Sequence, residues 1–155
     1  MEINILIYEE YKEQVDTGWL ESVAEQALSA EKVCPRAEMG LVITGPEQVR
    51  ELNRDYRDVD EPTDVLAFAL LEGKDESSFI APPDGVLHLG EVIISYPQAV
   101  VQAGEARHPV RKELALLVVH GILHLLGYDH DKPELEKIMR AREVAILERI
   151  GESKG

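Results

Sequence analysis

Cysteine is nearly absent: Cys34 is the single thiol in 155 residues. One cysteine excludes a disulfide framework and any cluster of thiolate metal ligands. Long hydrophobic runs are missing as well. The run Leu114 to Val119 is interrupted by His120 and, like Val65 to Leu71, is far too short to span a bilayer. The first ten residues contain acids and no base, which does not fit a signal peptide. These absences predict a cytosolic protein without a membrane partner. Basic charge is scarce too: 16 Lys and Arg stand against 30 Asp and Glu, a net charge of −14. Such a balance argues against loose, non-specific adhesion to nucleic acid. The acidity is uneven, however. Residues 1–31 carry eight acids and one base, whereas residues 102–149 carry eight of each. A polyanionic substrate can still reach a site in that neutral region.

The length suits one domain, residues 1–155, with a core that needs no staples. Hydrophobic content of 45% with 30% charged residues is ordinary for a globular chain. Residues 2–8 partly alternate and read as a strand, as do Met39 to Thr44, Val65 to Leu70 and Leu87 to Ile94. Trp19, Leu20, Val23, Ala24, Ala27 and Leu28 recur at helical spacing, which predicts an amphipathic helix over residues 17–30. Capping-box patterns at Thr44-Gly-Pro-Glu47 and Ser95-Tyr-Pro-Gln98 open helices to about Tyr56 and Ala106. Pro109 starts a helix that is apolar nearly all round from Leu114 to Leu126, as a central core helix must be. Asp131-Lys-Pro-Glu134 caps a last helix ending at Gly151. Residues 71–86 read as one long loop. The pattern predicts an α+β domain: a small mixed sheet packed with about five helices.

Histidine is concentrated. Three of the five, His120, His124 and His130, fall within eleven residues. His120 and His124 are four apart near the end of the apolar helix, so they share a face. Gly127 stands where that helix should stop, and Tyr128 and Asp129 bring the chain round to His130. A lone histidine on an apolar helix is usually a satisfied core residue. Three at this spacing point to a metal ion, because one cation satisfies three buried imidazoles at once. Three nitrogen donors leave a coordination position open, the layout of a catalytic rather than a structural site. Imidazole-only ligation suits zinc best, with nickel, copper or iron also possible.

The spacing also fits the long zinc-peptidase pattern, His-Glu-x-x-His-x-x-Gly-x-x-His, except that Gly121 replaces its glutamate. Without that carboxylate nothing on the helix takes a proton from water, which counts against a peptidase unless Glu91 or Asp129 substitutes. A third reading is a ribosome assembly factor with a mainly structural metal.

The string His120-Gly-Ile-Leu-His124-Leu-Leu-Gly-Tyr-Asp-His130 resembles the signature of the YbeY family of bacterial endoribonucleases and ribosomal RNA maturation factors. Leu52-Asn-Arg-Asp-Tyr-Arg57 through Pro62-Thr-Asp-Val-Leu-Ala-Phe68 resembles that family's central motif, and Leu89-Gly-Glu-Val-Ile-Ile-Ser95 its following strand. The chain departs from the family at Ala67-Phe68-Ala69, usually Ser-Phe-Pro, and at Glu91, often Asp. The resemblance implies a small sheet with surrounding helices. It also implies a single-strand-specific, metal-dependent endoribonuclease in 16S ribosomal RNA 3′-end maturation and ribosome quality control. Zinc would sit on His120, His124 and His130, and the family's functional arginine maps onto Arg57. Arg57 and the ligand His120 are then the expected catalytic residues. RNA and small-subunit ribosomal proteins are the expected partners, and DNA is not.

Arg57 suits such a role chemically, since a guanidinium matches a phosphate bidentately and stays charged. A solvated helix end paired with Asp58 or Asp60 is the plainer reading of the same residue. Arg50, Arg54 and Arg57 form either a basic ridge or a salt-bridged face with Glu47, Glu51 and Asp55. His88 either lines the site or is a lone satisfied histidine. His108 reads as part of a surface turn that contributes, with Arg111 and Lys112, to RNA contact. Thr63 and Asp64 either orient the site or form a plain turn.

Overall fold

The computed structural model describes residues 1–57, 63–70, 86–128 and 131–151. Along them run β1 (Glu2–Ile7), α1 (Thr17–Ala30), β2 (Ala37–Thr44), α2 (Pro46–Arg57), β3 (Val65–Ala69), β4 (Leu87–Ser95), α3 (Tyr96–Ala106), α4 (Val110–Leu125) and α5 (Pro133–Ile150). A short 3-10 turn, Glu9–Tyr11, follows β1. The strands form one sheet in the order β1-β2-β4-β3. β1, β2 and β4 are parallel, while β3 pairs antiparallel with β4 on the edge. This is the mixed sheet and α+β arrangement that the sequence predicts. None of the helices is long and apolar enough to cross a membrane, among the described residues. The loop expected over 71–86 lies almost wholly outside them.

Alternation along β4 decides how the sheet is covered. Val92 and Ile94 join the main core, whereas Ile93 between them joins a small cluster with Val49 and Leu66. Successive side chains leave opposite faces of a strand. One face therefore meets α1 and α4, and the other meets α2. The two covers differ in strength. α4 buries ten residues, among them Leu114, Val118, Ile122 and Leu125, and it touches α1, α3, α5, β3 and β4. Among its described side chains, α2 buries only Val49 and Asn53. Full burial of an aliphatic side chain stabilises by about 1.5–3 kcal/mol. A side chain carried on α4 thus rides on the most firmly held element of the fold.

Local signals set most helix ends. The Asp16 carboxylate accepts from the Gly18 and Trp19 amides at 2.9 and 3.3 Å, capping α1. Ser95 caps α3 by accepting from the Gln98 amide at 3.4 Å. Two expected caps are corrected. Thr44 is not a cap: β2 continues through it, paired with Ser95, and its buried hydroxyl makes no hydrogen bond. α2 begins only at Pro46. Asp131 does not cap α5 either, because Lys132 holds the N-cap position and makes no side-chain bond.

β2 also starts two residues before the expected Met39, because Ala37 and Glu38 pair with Leu87 and His88 across a bulge. Gly90 makes the bulge possible. Its φ is +127°, and a Cβ there would run into the Phe68 carbonyl oxygen.

Candidate metal centre

α4 ends two residues before Gly127, and the geometry of that ending places the histidines. The Tyr128 amide donates to the Leu123 carbonyl at 3.0 Å, and the Gly127 amide donates to the His124 carbonyl at 3.1 Å. These are the two bonds of a Schellman ending, with Gly127 at φ +99° in the position where glycine is favoured. The helix is therefore terminated sharply, and the chain turns just after the second histidine. His120 and His124 lie on one side of the last turns, as their spacing requires. Their ring centroids are 4.7 Å apart and the rings are inclined at 73°. His130 lies outside the described residues. Among the described residues, no set of three His, Cys, Asp or Glu side chains is arranged to hold a metal.

Glu143 of α5 was not singled out by the sequence, and it faces this pair. Its Oε1 lies 2.7 Å from His120 Nδ1, and its side chain is only 15% exposed. A carboxylate at Nδ1 fixes the proton on that nitrogen, so the lone pair falls on Nε2. This is the tautomer a metal ligand needs, so the two histidines fit a cation by their donor chemistry. A signal for Glu143 does exist in the sequence. Met139, Ile146 and Leu147 are the buried residues of α5, and Glu143 falls among them at helical spacing. An acid on the apolar stripe of an amphipathic helix calls for a partner.

A second network ties the exit turn down. Glu31, at the end of α1 with a side chain 8% exposed, accepts the Tyr128 hydroxyl at 2.6 Å. Arg142, next to Glu143, donates to the other Glu31 oxygen from Nε at 2.7 Å and Nη2 at 2.5 Å. Burial first, then the Glu31 carboxylate, pushes the Tyr128 pKa above its usual range. The hydrogen bond to Glu31 holds the Arg142 guanidinium further above its own range, against the opposing effect of burial. Tyr128 thus shapes the turn, as expected, and also bolts it to α1 and α5. Asp129 lies outside the described residues.

Gly121 packs closely against β4. A Cβ at this position would stand 2.5 and 2.9 Å from the Val92 methyls of β4. No side chain fits there, so the glutamate of the zinc-peptidase pattern has no room in this packing. Nor does Glu91 replace it. Val92 points to α4, so its neighbour Glu91 leaves the opposite face of the sheet, over Gly40.

The remaining candidates are accounted for individually. His88 is exposed, and its Nδ1 lies 2.9 Å from Glu38 Oε1. His108 sits in the turn before α4 as expected, and its ring is held by a glutamate of that helix. Its Nε2 lies 2.7 Å from Glu113 Oε1, and the Glu113 side chain is 6% exposed. Arg111 stacks on Trp19 with its guanidinium carbon 4.8 Å from the ring centroid. Arg54 pairs with Asp55 at 3.2 Å, in keeping with a salt-bridged face for α2. Thr63 donates to its neighbour Asp64 at 3.2 Å, and the Asp64 carbonyl accepts from the Ser95 amide at 2.9 Å. Arg57 is the last residue of α2, and its side chain lies outside the described part.

The family model described as Endoribonuclease YbeY matches residues 5–151. The chain belongs to the YbeY family. Relatives named Endoribonuclease YbeY agree over nearly all of it. One from Dehalococcoides mccartyi strain CBDB1 is 48% identical, covering 98% of this chain and 95% of the relative. One from Roseiflexus sp. strain RS-1 is 45% identical, covering 98% and 94%. One from Moorella thermoacetica is 51% identical over 85% of each chain. The YbeY resemblance read from three sequence motifs thus extends along the whole chain. Among solved structures, the Thermotoga maritima protein TM1509, determined in solution, superposes with a TM-score of 0.60. It is 25% identical, covering 98% of this chain and 93% of its own.

Proposed function

We propose that this chain is a single-strand-specific, metal-dependent endoribonuclease of ribosomal RNA. It acts in the cytoplasm in 16S RNA 3′-end maturation and ribosome quality control, against RNA held on or near small-subunit proteins. The relatives' name supports the reaction class. The observation that carries it in this chain is the pair His120 and His124, their rings 4.7 Å apart, with the Glu143 carboxylate on His120 Nδ1. His120, His124 and His130 hold one zinc ion, with other divalent transition metals as alternatives. Bound there, zinc supplies a Lewis acid for the phosphoryl oxygens of the scissile bond.

The protein's own groups do the rest. Arg57 binds the scissile phosphate through its planar guanidinium and spreads the charge that grows on it. Glu143 keeps the His120 ring oriented, and the Gly127 turn ends the helix just past His124. Zinc-dependent peptide hydrolysis is the weaker reading, since neither Gly121 nor Glu91 offers a base on the histidine side.

The test is cleavage of a ribosomal RNA 3′-end fragment by the purified protein, beside a chelated sample and His124→Ala. Cutting that needs metal and is lost in the variant is the expected result. Cutting that survives both controls belongs to a contaminant and contradicts the proposal. So does the absence of cutting with zinc bound, which leaves the assembly-factor reading. Arg57→Ala, still loaded with zinc, should cleave about a hundredfold more slowly.

A further inference from the structure

Two consecutive residues of α5 reach the histidine end of α4 by different routes. Arg142 reaches it through Glu31 and Tyr128, and Glu143 touches His120 directly. The side of α5 that carries Glu143 is not free to turn. Met139 lies one turn before it and Ile146 and Leu147 one turn after, all buried, while the Arg142–Glu31 pair braces the same stretch. The carboxylate is therefore delivered to His120 by packing rather than by a mobile side chain at the surface.

The nitrogen it takes matters together with what stands beside the ring. A histidine–glutamate pair away from any ligand works through either ring nitrogen: His108 uses Nε2 toward Glu113, and His88 uses Nδ1 toward Glu38. Glu143 takes Nδ1, the nitrogen nearest the backbone, so the ring's lone pair falls on Nε2 at its tip. That tip belongs to a ring 4.7 Å from a second imidazole. A carboxylate at this place fixes the tautomer, stops ring rotation and makes the opposite nitrogen a stronger donor to a cation.

We propose that Glu143 is a positioning residue of the metal centre, setting the affinity for the ion through His120 without touching it. The inference rests on the reading of His120 as a ligand. It is tested on the full-length, metal-free protein and its variants Glu143→Ala and Glu143→Gln, with His124→Ala as control. Zinc affinity is read by competition with a chromogenic chelator. The His120 tautomer is read from long-range proton–nitrogen NMR spectra of the metal-free forms, and their folding from thermal melting.

Glu143→Ala should bind zinc about 10- to 100-fold more weakly. Its His120 should lose the strong preference for a proton on Nδ1, while the melting curve stays cooperative. Glu143→Gln, which keeps an acceptor but no charge, should fall between it and the parent. If Glu143→Ala binds zinc as tightly as the parent while His124→Ala does not, the positioning role is overturned and the metal centre stands. If His124→Ala also binds as tightly, or the parent takes up no zinc, the metal centre falls and the positioning role with it. Should Glu143→Ala fail to fold, Glu143→Gln decides: parental affinity together with an unchanged tautomer overturns the proposal.

Discussion

His108 with Glu113 and His120 with Glu143 lie at opposite ends of one helix and make contacts of the same length, 2.7 Å. Their surroundings separate them. Glu113 is the more buried carboxylate and takes Nε2 of a histidine in the turn before α4, where it braces the start of the helix. Glu143 takes Nδ1 of a histidine that has a second imidazole beside it and a glycine-terminated turn just beyond. A short imidazole–carboxylate contact is therefore no sign of a metal site by itself. What stands beside the ring carries the distinction, here a second imidazole 4.7 Å away. His88 with Glu38, exposed and 2.9 Å apart, is the baseline in which neither packing nor ligation is at stake.

The sharpest way to break this comparison is to remove each histidine in turn. His120→Ala should lower RNA cleavage by about a thousandfold and abolish tight zinc binding, since it removes a ligand from a site acting on the transition state. The matching change His108→Ala should leave zinc affinity unaltered. Its effect belongs to stability: Glu113 left buried without its partner should lower the unfolding free energy in urea by about 2 kcal/mol. Zinc affinity that falls equally in both variants would erase the distinction between the two pairs.

Gly121→Glu rebuilds the zinc-peptidase pattern in the sequence, but the Val92 methyls occupy the space. The expected outcome is a loss of about 3 kcal/mol in stability, from overpacking and a buried charge, with no gain of casein cleavage. Gly127→Ala is milder. Among the described residues nothing lies within 4 Å of the added Cβ, so the strain of φ +99° dominates, about 1 kcal/mol. Because the strain falls between His124 and His130, zinc affinity should weaken alongside it. His88→Ala should change stability by less than about 0.5 kcal/mol, as expected for an exposed pair, and leave cleavage intact.

Much of this was legible in the residues. Apolar spacing and capping patterns together placed all five helices, and α4 proved to be the nearly all-round buried helix that Leu114 to Leu126 describes. The histidine string, with Gly127 as the stop, foretold where His120 and His124 would meet. What escaped was carried by contacts between distant parts of the chain. Glu143 lies 23 residues from His120, and Glu31 lies 97 and 111 from Tyr128 and Arg142. Local periodicity holds no record of such pairs, although an acid on the buried stripe of α5 hinted at one. The partner of His108 escaped as well, because a turn position says nothing of the glutamate five residues on that takes its side chain. Thr44 failed as a cap because strand pairing with Ser95 outweighed a local capping pattern.

The central claim is that the histidine-held metal is what makes this chain cut RNA. The most direct measurement is a zinc titration of the metal-free protein that follows bound metal and cleavage of a single-stranded ribosomal RNA fragment together. Cleavage should rise in proportion to bound zinc and level off at a single equivalent, with His124→Ala flat throughout. Full cleavage by the metal-free protein, or none when the site is filled, would contradict the claim.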